Sequence, residues 1–139
     1  MDRILIIDDE RGISEMIGQA LQRSGYRVET ASNGRHGIDL FDTGVFDLVV
    51  TDMDLPDIDG KGVIHHIRHS SRPVTPVIGM SGTPWLLQGA LCDAMLSKPF
   101  PLKALTGLVG RLSRPGIPGA LPSALTGFTE QPVRHPDSY

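Results

Sequence analysis

Phe46-Asp47-Leu48-Val49-Val50-Thr51-Asp52-Met53-Asp54-Leu55-Pro56 organises the rest of the chain. Leu48, Val49 and Val50 form an apolar, β-branched-rich run without polar alternation. That is the pattern of a strand buried on both faces, as in a parallel sheet. The run stops at Asp52, and Asp54, Pro56, Asp57, Asp59 and Gly60 follow, all turn residues. A carboxylate therefore stands at the carboxyl end of a buried strand and faces a loop. In open α/β sheets that edge is where ligands bind. Taken alone, Asp52 reads equally well as the mere end of a strand, and three further strands change the balance.

Upstream, Ile4-Leu5-Ile6-Ile7 is a second buried strand, ending at Asp8-Asp9-Glu10. Ile13, Met16, Ile17, Ala20 and Leu21 recur at helical spacing, and Gly25 ends that helix. Tyr26 to Ala31 alternates, which suits a strand at the sheet edge. Asn33 caps the next helix, which carries Ile38, Leu40 and Phe41 and ends near Gly44. Downstream of Asp52, a helix begins near Gly60 with Val63, Ile64 and Ile67 inward, and Pro73 and Pro76 bound its exit. Val77-Ile78-Gly79-Met80 is a buried strand ending at Ser81. Thr83-Pro84 reads as a cap and first-turn proline for a helix carrying Trp85, Leu86, Ala90 and Leu91. Ala94-Met95-Leu96 is the last strand, ending at Ser97-Lys98-Pro99, and Leu102, Leu105, Leu108, Val109 and Leu112 line the last amphipathic helix. Alternating strands and helices predict a doubly wound parallel sheet with right-handed crossovers.

A length of 139 residues suits one domain with a real core, and 40% apolar residues with a net charge of -3 describe a globular, mildly acidic chain. The acidic balance without basic clusters argues against direct nucleic-acid binding by this chain. The single Cys92 excludes an internal disulfide and suits a reducing, cytoplasmic setting. The apolar run after Arg3 is too short for a signal peptide, and nothing approaches a membrane span. Residues 113–139 hold five of the eleven prolines, so they are expected to form a tail or linker outside a domain of residues 1–112.

Asp8 and Asp9, Asp52, Ser81 and Lys98 all sit at strand carboxyl ends, which lie side by side in such a sheet. Clustered carboxylates repel one another strongly at low dielectric, and one lysine cannot neutralise them. A hard divalent cation held by oxygen ligands can, and Mg²⁺ is the natural choice. A metal beside a carboxylate suggests phosphoryl transfer, with the carboxylate as nucleophile and Lys98 as a point charge on a phosphoryl oxygen.

From about residue 2 to residue 112 the chain resembles the receiver domain of bacterial two-component response regulators, a flavodoxin-like fold of strand order 2-1-3-4-5. The motifs that carry the resemblance are Asp8-Asp9-Glu10, Thr51-Asp52 with Leu55-Pro56-Asp57-Ile58-Asp59-Gly60, Met80-Ser81-Gly82, and Lys98-Pro99-Phe100. It implies that Asp52 accepts phosphate from a sensor histidine kinase or phosphotransfer protein, and that the chain signals to a downstream protein by contact. It implies that Asp9, Asp52 and the backbone carbonyl of Asp54 hold Mg²⁺, with Asp8 acting through water. It implies that Ser81 bonds the phosphoryl group and that the peptide bond before Pro99 is cis.

The chain departs from the family pattern in one region. Met95 stands where the family usually has an aromatic switch residue, and the stretch from Ser81 to Lys98 is shorter than usual, giving a shortened fourth-helix region. Leu91 replaces the glycine that normally ends that helix. The usual dimer face is the altered one, which leaves homodimerisation open. Two alternatives accompany this reading. Asp52-Met53-Asp54 also fits the motif of haloacid dehalogenase-like phosphatases, which turn over many substrates, whereas a receiver labels itself once. A degenerate receiver would act as a binding module without phosphate. His65, His66 and His69 read as a solvated helix face, and Cys92 as a small apolar residue.

Overall fold

The computed structural model describes residues 2–83 and 91–113. The expected helix through Trp85 and, apart from Ser113, the expected tail of residues 113–139 lie outside these residues. The elements are β1 (Arg3–Ile7), α1 (Arg11–Arg23), β2 (Arg27–Ala31), α2 (Gly34–Thr43), β3 (Leu48–Asp52), α3 (Gly60–Arg68), β4 (Val77–Ser81), β5 (Ala94–Ser97) and α4 (Leu102–Leu112). The five strands are parallel in the order β2-β1-β3-β4-β5, as expected for a flavodoxin-like sheet.

Strand side chains alternate between two apolar layers because the period of a strand is two residues. Leu5, Ile7, Val49 and Val77 point to one layer with Ile38 and Phe41 of α2 and Val63, Ile64 and Ile67 of α3. Ile4, Ile6, Leu48, Val50 and Ile78 point to the other, with Ile17 and Leu21 of α1 and Leu105, Leu108 and Val109 of α4. Every residue of β3 is buried, which explains its lack of alternation. Packing outweighs propensity in these helices. Gly12 and Gly18 in α1 each cost about 1 kcal/mol relative to alanine. Burying Ile17 and Leu21 returns about 1.5–3 kcal/mol each.

The end of α1 shows how local chemistry sets a boundary. Gly25 adopts φ +98, its N–H donates to the Gln22 carbonyl at 3.0 Å, and the Tyr26 N–H donates to the Leu21 carbonyl at 3.1 Å. This is a Schellman closure. It uses the Tyr26 N–H, so β2 starts at Arg27 and not at Tyr26. Just past α4, Ser113, expected as the first residue of the tail, is instead buried against the domain, donating to the Val109 carbonyl at 2.6 Å and lying 3.3 Å from the Tyr26 hydroxyl.

The entry to β5 is held by one arginine. The Arg68 guanidinium donates to the carbonyls of Leu91, Pro73 and Thr75 at 2.7–3.0 Å and to the Asp93 carboxylate at 3.0 Å. Asp93 in turn accepts the Val77 N–H at 2.7 Å. The five donors of the planar fork suit this gathering of acceptors.

Candidate functional site

The parallel register brings the strand ends together at one edge. Asp52 pairs with Met80, and Ser81 with Ser97 next to Lys98. Asp52 is 3% exposed; one of its carboxylate oxygens accepts the Lys98 Nζ–H at 3.2 Å and the other accepts the Asp54 N–H at 3.0 Å. The Lys98 N–H donates to the Ser81 carbonyl at 2.8 Å, and the Lys98–Pro99 bond is cis, as the resemblance implies.

Asp8 is 1% exposed. Its Oδ1 accepts the Glu10 N–H at 2.9 Å, while its Oδ2 is buried with no hydrogen-bond partner. Burial raises its pKa from 3.8 to about 6. The Glu10 N–H and the Lys98 charge oppose that rise, and the Asp52 and Glu10 charges add to it. Lys98 shows the opposite balance. Burial alone would lower its pKa, but Asp52, Asp8 and Glu10 hold it above the ordinary value.

Among the described residues, the carboxylates that offer oxygens within 4.8 Å of one another belong to Asp8, Glu10 and Asp52. Glu10 is the member that sequence reasoning missed as a site residue. It stands directly before α1 but makes no side-chain cap there, and its carboxylate lies 3.9 Å from Lys98 Nζ. A glutamate at a helix start normally reads as a dipole partner, so only the fold reveals where it turns. Asp9 is exposed and lines a cavity of about 420 Å³ with Asp8, Glu15 and His36, and its carboxylate is not in the close group. Asp54 is exposed. Ser81 is 0% exposed; its hydroxyl accepts the Thr83 N–H at 3.0 Å and lies 3.5 Å from the Asp54 carboxylate. Three carboxylates with one ammonium leave net negative charge, and Asp8 Oδ2 lacks a donor. This oxygen-rich donor set fits a hard divalent cation.

Met95 is buried, with its thioether beside that of Met53 in the space left by Gly79, whose hypothetical Cβ would lie 3.0 Å from both sulfurs. The histidines of α3 are surface groups. His65 and His69 stack at 4.1 Å, and His66 pairs with Asp42 at 2.7 Å. Cys92 packs against the core, and burial raises its thiol pKa.

Comparison with known proteins agrees with this geometry. The family model for the response regulator receiver domain matches residues 4–109. The transcriptional regulatory protein TcrA of Mycobacterium tuberculosis is 35% identical over 124 residues, covering 82% of this chain and 47% of that one. The chain thus spans about half the length of that relative. Among solved structures, the chemotaxis response regulator CheY4 of Vibrio cholerae superposes with TM-score 0.76 at 28% identity, covering 81% of this chain and 98% of that one. The response regulator TrrA of Thermotoga maritima, solved in complex with Mg²⁺ and BeF, superposes with TM-score 0.74 at 31% identity, covering 81% and 99%. The family model covers most of the chain, and sequence and fold point the same way: this chain belongs to the response regulator receiver domain family.

Proposed function

We propose that the domain is a phosphorylation-dependent signalling switch in which Asp52 takes a phosphoryl group from the histidine of a sensor kinase or phosphotransfer protein. The observation that carries this reading is the environment of Asp52: nearly fully buried, 3.2 Å from Lys98 Nζ and within the acidic group of Asp8 and Glu10. An Asp52 carboxylate oxygen attacks phosphorus, the phosphorus–nitrogen bond to the donor imidazole breaks, and an acyl phosphate forms. The Asp54 N–H orients the carboxylate through its other oxygen. Lys98 moves from Asp52 to a phosphoryl oxygen, and the Ser81 hydroxyl turns from Thr83 to another. Asp9, Asp52 and the Asp54 carbonyl would hold Mg²⁺, with Asp8 acting through water and Glu10 close enough to join them. When bound, the ion neutralises the charge of the phosphoryl oxygens.

The donor must bring its histidine to Asp52 and so must cover what lies beside Lys98. That surface is a largely apolar cavity of about 410 Å³ lined by Ile13, Met16, Ile17, Pro99, Phe100 and Leu102. Half-exposed Met16 adapts to varied partner shapes. Family membership favours this reading over the dehalogenase-like phosphatase, and the occupied Asp52, Ser81 and Lys98 positions favour it over a degenerate receiver. Mass spectrometry after treatment with acetyl phosphate and Mg²⁺ tests it. One phosphoryl group is expected on the native chain and none on Asp52→Asn, and label persisting in the variant refutes the assignment.

A further inference from the structure

We propose that Asp57 is a positioning residue for phosphoryl transfer: its carboxylate clamps the first two N–H groups of α2 and so holds the loop that presents Asp54 to the site. This inference rests on the reading of Asp52 as phosphoacceptor.

Besides the backbone bonds of Met53 to Met80 and Gly60, N–H to carboxylate bonds hold the loop from Met53 to Asp59 at its start, middle and end. At its start the Asp54 N–H donates to Asp52 at 3.0 Å. At its end Asp59 accepts the Gly62 N–H at 3.0 Å and caps α3. In the middle, Asp57 Oδ1 accepts the Gly34 N–H and Oδ2 the Arg35 N–H, each at 2.9 Å. Asn33 takes the next N–H, that of His36, at 2.7 Å. A free N-terminal turn thus receives a carboxylate from another loop, complementing both its N–H groups and its dipole. The two donations from Arg35 and Gly34 hold the Asp57 carboxyl at about 2, so the clamp stays ionised at every physiological pH. The contact is also backbone-tight. A Cβ on Gly34 would meet the Ile58 carbonyl oxygen at 2.2 Å, so only glycine lets the loop lie on the helix.

A residue that only capped α2 would affect stability alone. Asn33 caps the same helix through the His36 N–H, with no side-chain hydrogen bond to the loop, which makes Asn33→Ala the matched control. The experiment measures Mg²⁺ affinity by calorimetry, the acetyl phosphate labelling rate and Tm for the native chain, Asp57→Ala, Asp57→Asn and Asn33→Ala. Both alanine variants should lower Tm. Asp57→Ala should weaken Mg²⁺ binding by about tenfold, the scale seen when outer-shell supports of metal ligands are lost, and slow labelling, with Asn33→Ala unchanged. Asp57→Asn keeps an acceptor for one N–H and should fall between, and it carries the comparison if Asp57→Ala does not fold. Equal Mg²⁺ affinity and labelling rate in Asp57→Ala, Asp57→Asn and Asn33→Ala would overturn the proposal. If the native chain takes no label, the phosphoacceptor reading fails, and the Mg²⁺ titration still decides the role of Asp57.

Discussion

Replacing Asp8 with asparagine should stabilise the protein in the absence of divalent cations. Asp8 keeps one oxygen on the Glu10 N–H but buries the other without a partner, near two other carboxylates. Its pKa stands at about 6 against 3.8 for the free side chain, a difference of about 2 units. At 1.36 kcal/mol per unit, holding the charged form in the folded state at pH 7 costs about 3 kcal/mol. Asparagine retains the Glu10 bond and offers an N–H₂ to the neighbouring carboxylates. The expected gain is about 2–3 kcal/mol, or about 8–12 °C in Tm for a domain of this size. The sign of the pH dependence follows from the raised value. Between pH 6 and 3.8 the folded native chain binds a proton that the unfolded chain does not, so its penalty fades on acidification. The advantage of Asp8→Asn should be full at pH 7, shrink below pH 6 and be gone by about pH 3.8. Calorimetric melts of both proteins in EDTA across that range measure it, and saturating Mg²⁺ should narrow the gap by stabilising the native chain. A Tm for Asp8→Asn at or below the native value at pH 7, or a gap that ignores pH, would refute the reasoning.

Arg68→Ala should lose about 3 kcal/mol, because it strips donors from three carbonyls and leaves Asp93 without its cation; urea unfolding at pH 7 reads this, and a loss under about 1 kcal/mol would show that water replaces the guanidinium. Met95 packs flexibly over Gly79 and discriminates poorly between two positions, so amide NMR with beryllofluoride and Mg²⁺ should show large shifts around Asp9, Asp54 and Gly82 and small ones through Met95 and α4. Equally large shifts through Met95 would show that coupling survives without an aromatic.

The two apolar layers and the gathering of Asp52, Ser81 and Lys98 at one sheet edge can be read from local sequence. Unbroken runs such as Leu48-Val49-Val50 declare doubly buried strands, because a strand covered on both faces has no place for alternation. Asn33 and Gly25 declare helix ends, because capping and the left-handed turn depend on one residue's own groups. Asp52, Ser81 and Lys98 were legible for the same reason: each ends a recognisable strand, and a parallel sheet puts such ends on one edge. Tertiary structure alone decided which carboxylates meet. Asp8, Asp9 and Glu10 are consecutive and chemically alike, and only the turn between β1 and α1 sends Asp8 and Glu10 to Asp52 while Asp9 faces solvent. It likewise decided that Asp57, one turn residue among several, spans 23 positions to cap α2, and that Arg68 gathers carbonyls as distant as Leu91. Side-chain reach across elements depends on how the helices settle on the sheet, and no local pattern encodes that.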